Sequence, residues 1–407
     1  MDFSRAAFVL HMGPNGLGVT RSLGWSGIKV VGVDYRSDAT GLRSRFVKPF
    51  ITSDPVKKPE AVVEELLQEA AGYPDKPVIM ACADDYVLLV SRNRRKLSKA
   101  FEFMLPPEDV IEAMTNKSYQ YQMAVRAGIP IPNTIYPKSM DDIAAAKDTI
   151  GYPCFIKPFY SHLWSRRFGN KGFIIKSYDE LREKYHLIFA TDLEAMVQSI
   201  VGTPGKDLFQ VSAYFGKDGY ISPRFTWCKA RQAPPNFGVA SLGISIKNKK
   251  VEESGVMFLK AINYQGIGSV EFKLDTNDGV YRLIELNCRT WMQNVMCTVA
   301  GLNIPLIQYL DLTGQPCPTT GDFREGVRWW DALADLDSFI RLKRRRQLGA
   351  WPWFKSWLGS DCYAYFALDD VAPALVRARY GVNVFKTLTH ALRQPTDADD
   401  TQLGKKK

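Results

Sequence analysis

Few side chains in this sequence are suited to binding soft metals or to forming covalent catalytic sets. The 407 residues include four histidines, and the seven cysteines are scattered without a C-x-x-C pair. This pattern predicts no histidine metal cluster, no zinc site and no disulfide framework, and it favours a reducing compartment. The scattered histidines do not indicate a Ser-His-Asp or Cys-His catalytic set.

Long apolar runs are also missing. A membrane helix needs an apolar span of about 18 residues, and the short run AAFVLHM near the N-terminus is broken at Gly13-Pro14. We therefore expect neither a signal peptide nor a transmembrane helix, and we expect a cytoplasmic protein. The net charge of +10 favours anionic partners such as nucleotides, nucleic acid or a membrane surface. Because the basic segment 91–100 lacks interleaved aromatic residues, no nucleic-acid partner is expected.

The first part of the chain has the pattern of a parallel α/β domain. Residues 7–12 indicate a buried strand, a glycine-containing turn and a helix follow, and a second strand ends at Asp34. The glycines do not match G-x-G-x-x-G, so a tight turn with close helix packing is favoured over a dinucleotide site. Asp84 and Asp85 follow a later strand and could contact substrate or cap the next helix.

The segment 269–291 predicts two strands around a turn. Apolar and polar residues alternate from Val270 to Leu274, as in a strand with one buried face. Residues 275–279 are typical of a turn, with glycine supplying a positive φ. Val280 to Leu286 is predicted as the return strand, which contains Glu285 and is followed by Asn287.

Symmetric pairing of this hairpin about Asp278 would place Glu271 directly opposite Glu285, with Asn287 on the same face. Directly opposed like charges destabilise a pair of strands, so a cation between them is expected. Three hard oxygen donors without histidine or cysteine suit Mg²⁺ that also holds phosphate oxygens. Arg289 could then reach the charge that develops beside the metal.

A purely structural explanation of the two glutamates is also open, because Lys273 or Arg282 could neutralise them. The order of other residues favours a functional site. Lys117 begins a predicted helix, and Lys157 lies near the end of a predicted strand. The segment 198–201 follows, before the hairpin.

Together with Arg231 and the E-x-N-x-R pattern, this ordered set resembles the ATP-grasp superfamily over about residues 5–315. The sequences LGVTRSLGWSGIKVVGVD and KARQAPPNFGVAS are similar to the predicted carboxylate–amine ligases, the branch that includes D-aspartate ligase. The length of 407 residues also suggests two or three domains.

The resemblance implies an α/β (α+β) fold with three parts. Residues 1–105 would form an N-terminal, Rossmann-like pre-ATP-grasp domain with a parallel sheet. Residues 106–320 would form the ATP-grasp domain, with a small subdomain at about 117–200 and a large subdomain at about 201–320. Residues 321–407 would form a basic, Trp-rich extension, which either wraps the core or contacts a membrane surface or an acidic partner.

The resemblance also implies roles for individual residues. ATP binding would involve Lys117, Lys157, Gln198, Ser199, Ile200, Val201 and Asp207. One or two Mg²⁺ ions, with Mn²⁺ as a substitute, would be held by Glu271, Glu285 and Asn287. Arg231 and Arg289 would be catalytic, orienting the carboxylate and stabilising the transferred phosphoryl group. Residues 161–172 are predicted as a flexible basic loop, which could cover phosphates.

The implied activity is ATP-dependent ligation of a carboxylate to an amine through an acyl phosphate, with release of ADP and phosphate. The substrates would be small-molecule or peptide carboxylates and amines, and homodimers are frequent among relatives. One alternative is an ATP-dependent carboxylase of the same fold. Another is a nucleotide-binding or membrane-surface-binding protein without ligase activity. The sequence does not identify the acid or the amine.

Overall fold

The computed structural model describes residues 1–146, 149–203, 205–236 and 238–379. Its first part is a parallel sheet with flanking helices, as the sequence predicts. In chain order the elements are β1 (Ala7–Leu10), α1 (Pro14–Gly24), β2 (Val30–Asp34), β3 (Val47–Ile51), α2 (Pro59–Ala70), β4 (Val78–Ala81), α3 (Asp84–Arg92) and α4 (Arg94–Leu97). The strands pair in parallel in the order β3-β2-β1-β4. The carboxyl ends of these strands therefore lie along one edge, where α/β sheets bind ligands.

The turn after β1 brings the first helix close to the end of the strand. Pro14 lies in the first turn of α1, where its missing N–H is not needed. A Cβ on Gly16 would lie 2.0 Å from the carbonyl oxygen of His11, so this approach requires glycine. The glycine turn thus serves the close packing of a helix on a strand end.

A small antiparallel sheet follows. Its elements and flanking helices are α5 (Glu108–Thr115), α6 (Lys117–Arg126), β5 (Thr134–Ile135), α7 (Met140–Ala145), β6 (Cys154–Pro158), α8 (Ser161–Phe168), β7 (Phe173–Ile175), α9 (Tyr178–Phe189) and β8 (Ala195–Ser199). The strand order is β5-β8-β6-β7. The predicted helix at Lys117 and the predicted strand with Lys157 near its end are both confirmed.

Residues 161–172 do not form the flexible loop that we predicted, because most of them belong to helix α8. Trp164 is fully buried and packs against Phe168 and Phe173, with ring centroids 4.5 Å and 5.4 Å away. Gly169 ends the helix with a φ of 69°. The spacing of Trp164 and Phe168, four residues apart, puts both rings on one helix face. Burial of these rings stabilises the helix.

The largest sheet contains the predicted hairpin. Its first elements are β9 (Leu208–Phe215), β10 (Phe225–Ala233), β11 (Val239–Ser245), α10 (Lys249–Ala261), β12 (Gly266–Asp275), β13 (Val280–Asn287), α11 (Asn294–Val299) and α12 (Ile304–Leu312). Strand β9 pairs antiparallel with β10, and this pair forms a second hairpin.

The register of β12 and β13 places Glu271 opposite Glu285, as predicted. The symmetric pairing that we assumed is wrong, however. Next to the turn the pairs are one residue out of that register, since Asp275 pairs with Val280. A β-bulge, in which Ile284 is the extra residue, restores the facing glutamates.

The chain after residue 321 joins the same sheet. It forms β14 (Arg328–Trp330), α13 (Ala332–Arg344), α14 (Ala350–Trp357) and β15 (Cys362–Tyr363). Within the described ranges the sheet has the order β13-β12-β9-β10-β11-β14-β15. Residues 380–407 of the predicted extension lie outside the described residues. No helix in the described part of the chain is long and apolar enough to cross a bilayer.

A buried ion pair joins this last part of the chain to the first helix. Arg21 in α1 and Asp370 are both almost fully buried, and Arg21 Nε donates to Asp370 Oδ2 at 3.0 Å. Arg21 Nη2 also donates to the carbonyl oxygen of Tyr365 at 2.8 Å. The backbone N–H of Arg45 donates to Asp370 Oδ1 at 2.9 Å. These bonds fix residues 365–370 on the N-terminal part of the chain.

The contact between α10 and the sheet predicts the effect of one substitution. A Cβ on Gly255 would lie 2.2 Å from Cγ1 of Val211. Alanine favours a helix by about 1 kcal/mol over glycine, but we expect Gly255→Ala to lower the free energy of unfolding by about 1–3 kcal/mol, because the helix must move away from β9. Urea denaturation followed by circular dichroism measures this change.

Met257→Ala, at an exposed position of the same helix, is the matched control. It should change the free energy of unfolding by less than about 0.5 kcal/mol. A stability of Gly255→Ala equal to or above that of the wild type would contradict the close contact.

Candidate active site

One cleft of about 620 Å³ collects side chains from the N-terminal sheet, the small sheet and the large sheet. The N-terminal sheet and the loops after its strands contribute His11, Asn15, Cys82 and Asp84. The small sheet region contributes Lys117, Lys157, Ser165, Lys171, Gln198, Ser199, Ile200 and Val201. The large sheet and the segment after it contribute Lys229, Glu271, Lys273, Glu285, Asn287 and Arg289.

The two facing glutamates each have a lysine partner from another element. Lys117 Nζ, at the start of α6, lies 2.6 Å from Glu285 Oε1. Lys229 Nζ, on β10, lies 2.5 Å from Glu271 Oε2. The repulsion between the two carboxylates is therefore offset by cations that come from two different elements. Arg282, which the sequence left as a structural alternative, pairs instead with Asp275 and Asp278 at the hairpin turn.

The lysines keep Glu285 ionised. Burial raises the pKa of this carboxyl, but the charges of Lys117 and Lys157 outweigh it and bring the pKa to about 2. Glu285 is thus an anion at neutral pH and a hard oxygen donor.

Lys157 is held by uncharged oxygens. The bulge at Ile284 turns a backbone carbonyl towards α6 and β6, where it accepts hydrogen bonds from Tyr121 OH at 2.6 Å and from Lys157 Nζ at 2.9 Å. Lys157 Nζ also donates to Tyr121 OH at 2.5 Å. Burial lowers the pKa of Lys157, although Glu285 and Glu271 oppose this effect. Among the described residues Lys157 has no ion pair within 4.0 Å, so its charge can serve an anion in the cleft.

Residues 198–201 leave β8 and form one wall of the cleft. Gln198 Nε2 donates to Thr134 Oγ1 at 2.9 Å, and Ser199 Oγ accepts from the N–H of Asn133 at 3.1 Å. Both side chains therefore have partners within the protein. The N–H of Val201 makes no hydrogen bond within the described part of the chain. Ile200 and Val201 thus offer apolar surface and a backbone donor.

The structure places Asp207 beside the cleft but not among the residues that line it. Its φ is 59°, and its carbonyl oxygen accepts from the N–H of Leu274 at 2.9 Å. The next residue, Leu208, lines the cleft.

Arg231 is likewise not among the lining residues. Its Nε and Nη2 donate to the carboxylate of Asp335 at 2.8 Å and 2.9 Å, and Nη2 also donates to Ser356 Oγ at 2.8 Å. Two register shifts interrupt β10 on either side of Arg231. This irregularity separates Arg231 from Lys229, which the sequence did not single out as a site residue and which does line the cleft.

Arg289 joins the hairpin to the N-terminal sheet. Its Nε donates to Asp84 Oδ1 at 2.7 Å. Burial lowers the pKa of Arg289, but the charge of Asp84 outweighs it and the pKa is raised. Asp84 lies in the first turn of α3 and is not its N-cap, which is Ala83.

His11 is a lining residue that the sequence analysis missed. It follows β1 with a φ of 79°, and its Nδ1 lies 3.8 Å from Asp34 Oδ2. Burial lowers the pKa of His11. Its place at the carboxyl end of a parallel strand was the signal that could have found it.

The oxygen donors of the hairpin can supply some of the ligands of a hard cation. Among the described residues, no group of three or more His, Cys, Asp or Glu side chains is placed to hold a metal ion. Glu271, Glu285 and Asn287 line the cleft from adjacent strands and offer carboxylate and amide oxygens. These donors fit an ion such as Mg²⁺, which keeps waters and shares its other positions with phosphate oxygens.

The sequence and the structure resemble known proteins at different levels. No protein-family model matches the chain. D-aspartate ligase from Enterococcus faecium is 25% identical over 276 residues, which are 63% of this chain and 63% of that protein. N5-carboxyaminoimidazole synthetase from Staphylococcus aureus has a TM-score of 0.65 at 18% identity, covering 85% of this chain and 86% of that chain.

A biotin carboxylase domain has a similar structure. The domain from the Hydrogenobacter thermophilus 2-oxoglutarate carboxylase, described as a dimer in complex with MgADP, ADP and bicarbonate, has a TM-score of 0.62 at 18% identity. The match covers 81% of this chain and 74% of that chain. The two solved structures show a shared fold.

Arg231→Ala tests whether this arginine stabilises the fold or contacts the substrate. The change would leave Asp335, which is fully buried, without its guanidinium partner. We expect the free energy of unfolding to fall by about 3–5 kcal/mol, measured by chemical denaturation. Replacing both partners, as Arg231→Met with Asp335→Leu, should recover much of the loss. A fully stable Arg231→Ala protein would contradict this assignment.

The low pKa of Glu285 predicts how stability depends on pH. Its ordinary pKa is 4.5 and its pKa in the folded protein is about 2. The contribution of ionised Glu285 to the free energy of unfolding is therefore complete above pH about 4.5 and is lost as the pH falls towards 2. The difference in unfolding free energy between the wild type and Glu285→Gln should shrink over that interval.

Denaturant titrations at several pH values measure this difference. Glu253→Gln, an exposed glutamate on α10, is the control and should leave the profile of the wild type unchanged. A wild-type and Glu285→Gln pair with parallel pH profiles would show that Glu285 has no depressed pKa.

Proposed function

The chain has the ATP-grasp fold, and we propose that it is an ATP-dependent carboxylate–amine ligase. The observation that carries the proposal is the pair of facing glutamates, Glu271 and Glu285, with Lys117, Lys157 and Lys229 converging on them from other elements. A cleft with fixed cations and hard oxygen donors suits phosphoryl transfer, which depends on positioning and charge stabilisation. The similarity to D-aspartate ligase supports the choice of a carboxylate and an amine as substrates.

In this proposal ATP lies along the cleft from residues 198–201 to the hairpin. The backbone and apolar surface of Ile200 and Val201 receive the adenine. Lys117, Lys157 and Lys171 contact the phosphates, and α8 with the turn after it covers them. Asp207 is proposed as a contact to the ribose from the edge of the cleft.

Glu271, Glu285 and Asn287 would hold one or two Mg²⁺ ions, for which Mn²⁺ is a proposed substitute. When bound, the metal supplies positive charge that neutralises the phosphates during transfer. In the structure Lys117 and Lys229 occupy the same carboxylates. We infer that both lysines leave the glutamates for anionic oxygens of the substrates.

The chemistry proceeds in two steps. A carboxylate oxygen attacks the γ-phosphorus of ATP, which gives an acyl phosphate and ADP. The amine then attacks the carbonyl carbon, the bond from this carbon to the phosphate oxygen breaks, and an amide, phosphate and a proton are released. Arg289 is proposed to orient the carboxylate, while Arg231 positions the strand that carries Lys229.

A carboxylase is a second candidate, because both solved structures compared above are named for carboxylation chemistry. In that case bicarbonate would be the acid that ATP activates. We further propose a homodimer, by analogy with the biotin carboxylase dimer. A cytoplasmic location is supported by the cysteines, which are free.

The test measures ADP release by the whole chain with MgATP and pooled amino acids, in the presence of hydroxylamine to trap an acyl phosphate as a hydroxamate. We expect Glu285→Gln and Lys157→Met each to lower ADP release by about 100-fold or more, since each removes a charge from the transition state. Lys99→Gln, an exposed change outside the cleft, is the control and should retain full activity.

The proposal fails if calorimetry with saturating Mg²⁺ shows no binding of adenine nucleotides. It also fails if Glu285→Gln keeps the activity of the wild type. Turnover that requires bicarbonate and no amine would select the carboxylase.

A further inference from the structure

The second half of α13 and the segment that connects it to β15 combine a basic run with aromatic residues. Residues 338–360 contain six lysines or arginines and no aspartate or glutamate. The same segment contains Trp351, Trp353 and Trp357. None of these residues belongs to the cleft described above.

Helix α14 is apolar on both of its faces. On the inner face, Trp353 stacks on Phe339 with ring centroids 4.0 Å apart, and Trp357 packs against Trp330 with centroids 4.7 Å apart. The inner face is therefore already covered by the protein.

The outer face consists of Trp351, Phe354 and Leu358, which are 62%, 42% and 57% exposed. Their spacing of three and four residues forms a continuous stripe along the helix. A surface helix normally presents polar side chains on this side.

One positive charge lies beside this stripe, and others are exposed at the end of the preceding helix. Lys355 Nζ lies 5.3 Å from the centre of the Trp351 ring. Lys343 and Arg346, at the end of α13 and just after it, are exposed. We call Lys343, Arg346, Trp351, Phe354, Lys355 and Leu358 the aromatic–basic face.

More exposed apolar side chains follow β15. Rings connect α14 to this segment, because Trp330 lies 5.9 Å from Tyr363, which lies 5.7 Å from Phe366. Leu368 is 91% exposed and Leu375 is 64% exposed. Exposed apolar side chains are therefore not confined to α14.

We propose that the aromatic–basic face docks on an anionic lipid surface. A helix that lies in the membrane interface inserts tryptophan, phenylalanine and leucine between the headgroups, while lysine and arginine contact the lipid phosphates. The face has both components and carries no carboxylate on residues 338–360. Docking is peripheral and depends on charge, because each basic residue near the surface strengthens binding and salt screens it.

The position of α14 relates this surface to the candidate active site. Ser356 on α14 accepts a hydrogen bond from Arg231 at 2.8 Å, and Asp335 on α13 pairs with the same arginine. Arg231 lies on β10, the strand that carries Lys229 into the cleft. Docking would thus hold the active site at a fixed distance from the lipid surface. The inference does not depend on the proposed ligase activity.

The test is sedimentation of the full chain with vesicles of phosphatidylcholine alone or with about 30% phosphatidylglycerol. We expect binding to the anionic vesicles only, and loss of that binding when NaCl is raised from about 50 mM to about 500 mM. One variant tests the aromatic side chains of the face, and another tests its positive charges. Trp351→Ser with Phe354→Ser removes the inserted rings, and Lys343→Gln with Arg346→Gln and Lys355→Gln removes the charge.

Each variant should lower the vesicle partition coefficient by at least about tenfold. The matched charge control is Arg95→Gln with Lys96→Gln and Lys99→Gln, which removes the same number of exposed positive charges elsewhere. The matched apolar control is Met257→Ser, an exposed residue on α10. Both controls should bind as the wild type does. Circular dichroism should show the same fold for all variants.

Absence of binding to anionic vesicles would overturn the proposal. This holds also if the aromatic–basic face proves to bind an acidic protein. Equal binding by the wild type and both face variants would also overturn it. A loss of binding that appears only when Lys405, Lys406 and Lys407 are replaced by glutamine would assign the docking to the end of the chain and not to α14.

Discussion

Two carboxyl side chains that face each other on adjacent strands are the feature around which the cleft is arranged. Glu271 and Glu285 would destabilise the β12–β13 pair by repulsion if they stood alone. Lys229 and Lys117 offset that repulsion from two different parts of the chain. The same four groups that make the sheet stable without ligand thus set out the donors and cations that a metal nucleotide would use.

The bulge at Ile284 links this electrostatic arrangement to the small sheet. It puts the glutamates opposite each other, and it exposes a carbonyl oxygen that Tyr121 and Lys157 both bind. The hairpin therefore holds Lys157 without neutralising it. One backbone irregularity serves both the register of the acidic pair and the position of a basic residue.

Much of this arrangement followed from the sequence. Alternation and turn residues predicted the two strands and the turn between them, because these are local properties of a hairpin. The facing of Glu271 and Glu285 was predicted from a symmetric register that the strands do not keep, and the bulge at Ile284 restores it. The bulge was not predictable, since it depends on contacts of Ile284 with Tyr121 and Lys157, more than 100 residues away. The position of Lys229 in the cleft was not predictable either, because it depends on the two register shifts in β10. The charges of segment 161–172 favour a loop, whereas helix α8 is stabilised by the burial of Trp164, which depends on tertiary packing.

The ion pair between Arg21 and Asp370 determines how this polypeptide can be divided for experiments. The guanidinium lies in the interior of the protein, and its counter-charge is supplied by a residue close to the end of the described chain. A truncated fragment that ends near residue 320 would leave Arg21 as a buried cation without its counter-charge. This would lower the free energy of unfolding by several kcal/mol. The first helix therefore depends on the C-terminal segment, and a fragment that keeps the cleft intact has to retain residues far beyond the last lining side chain.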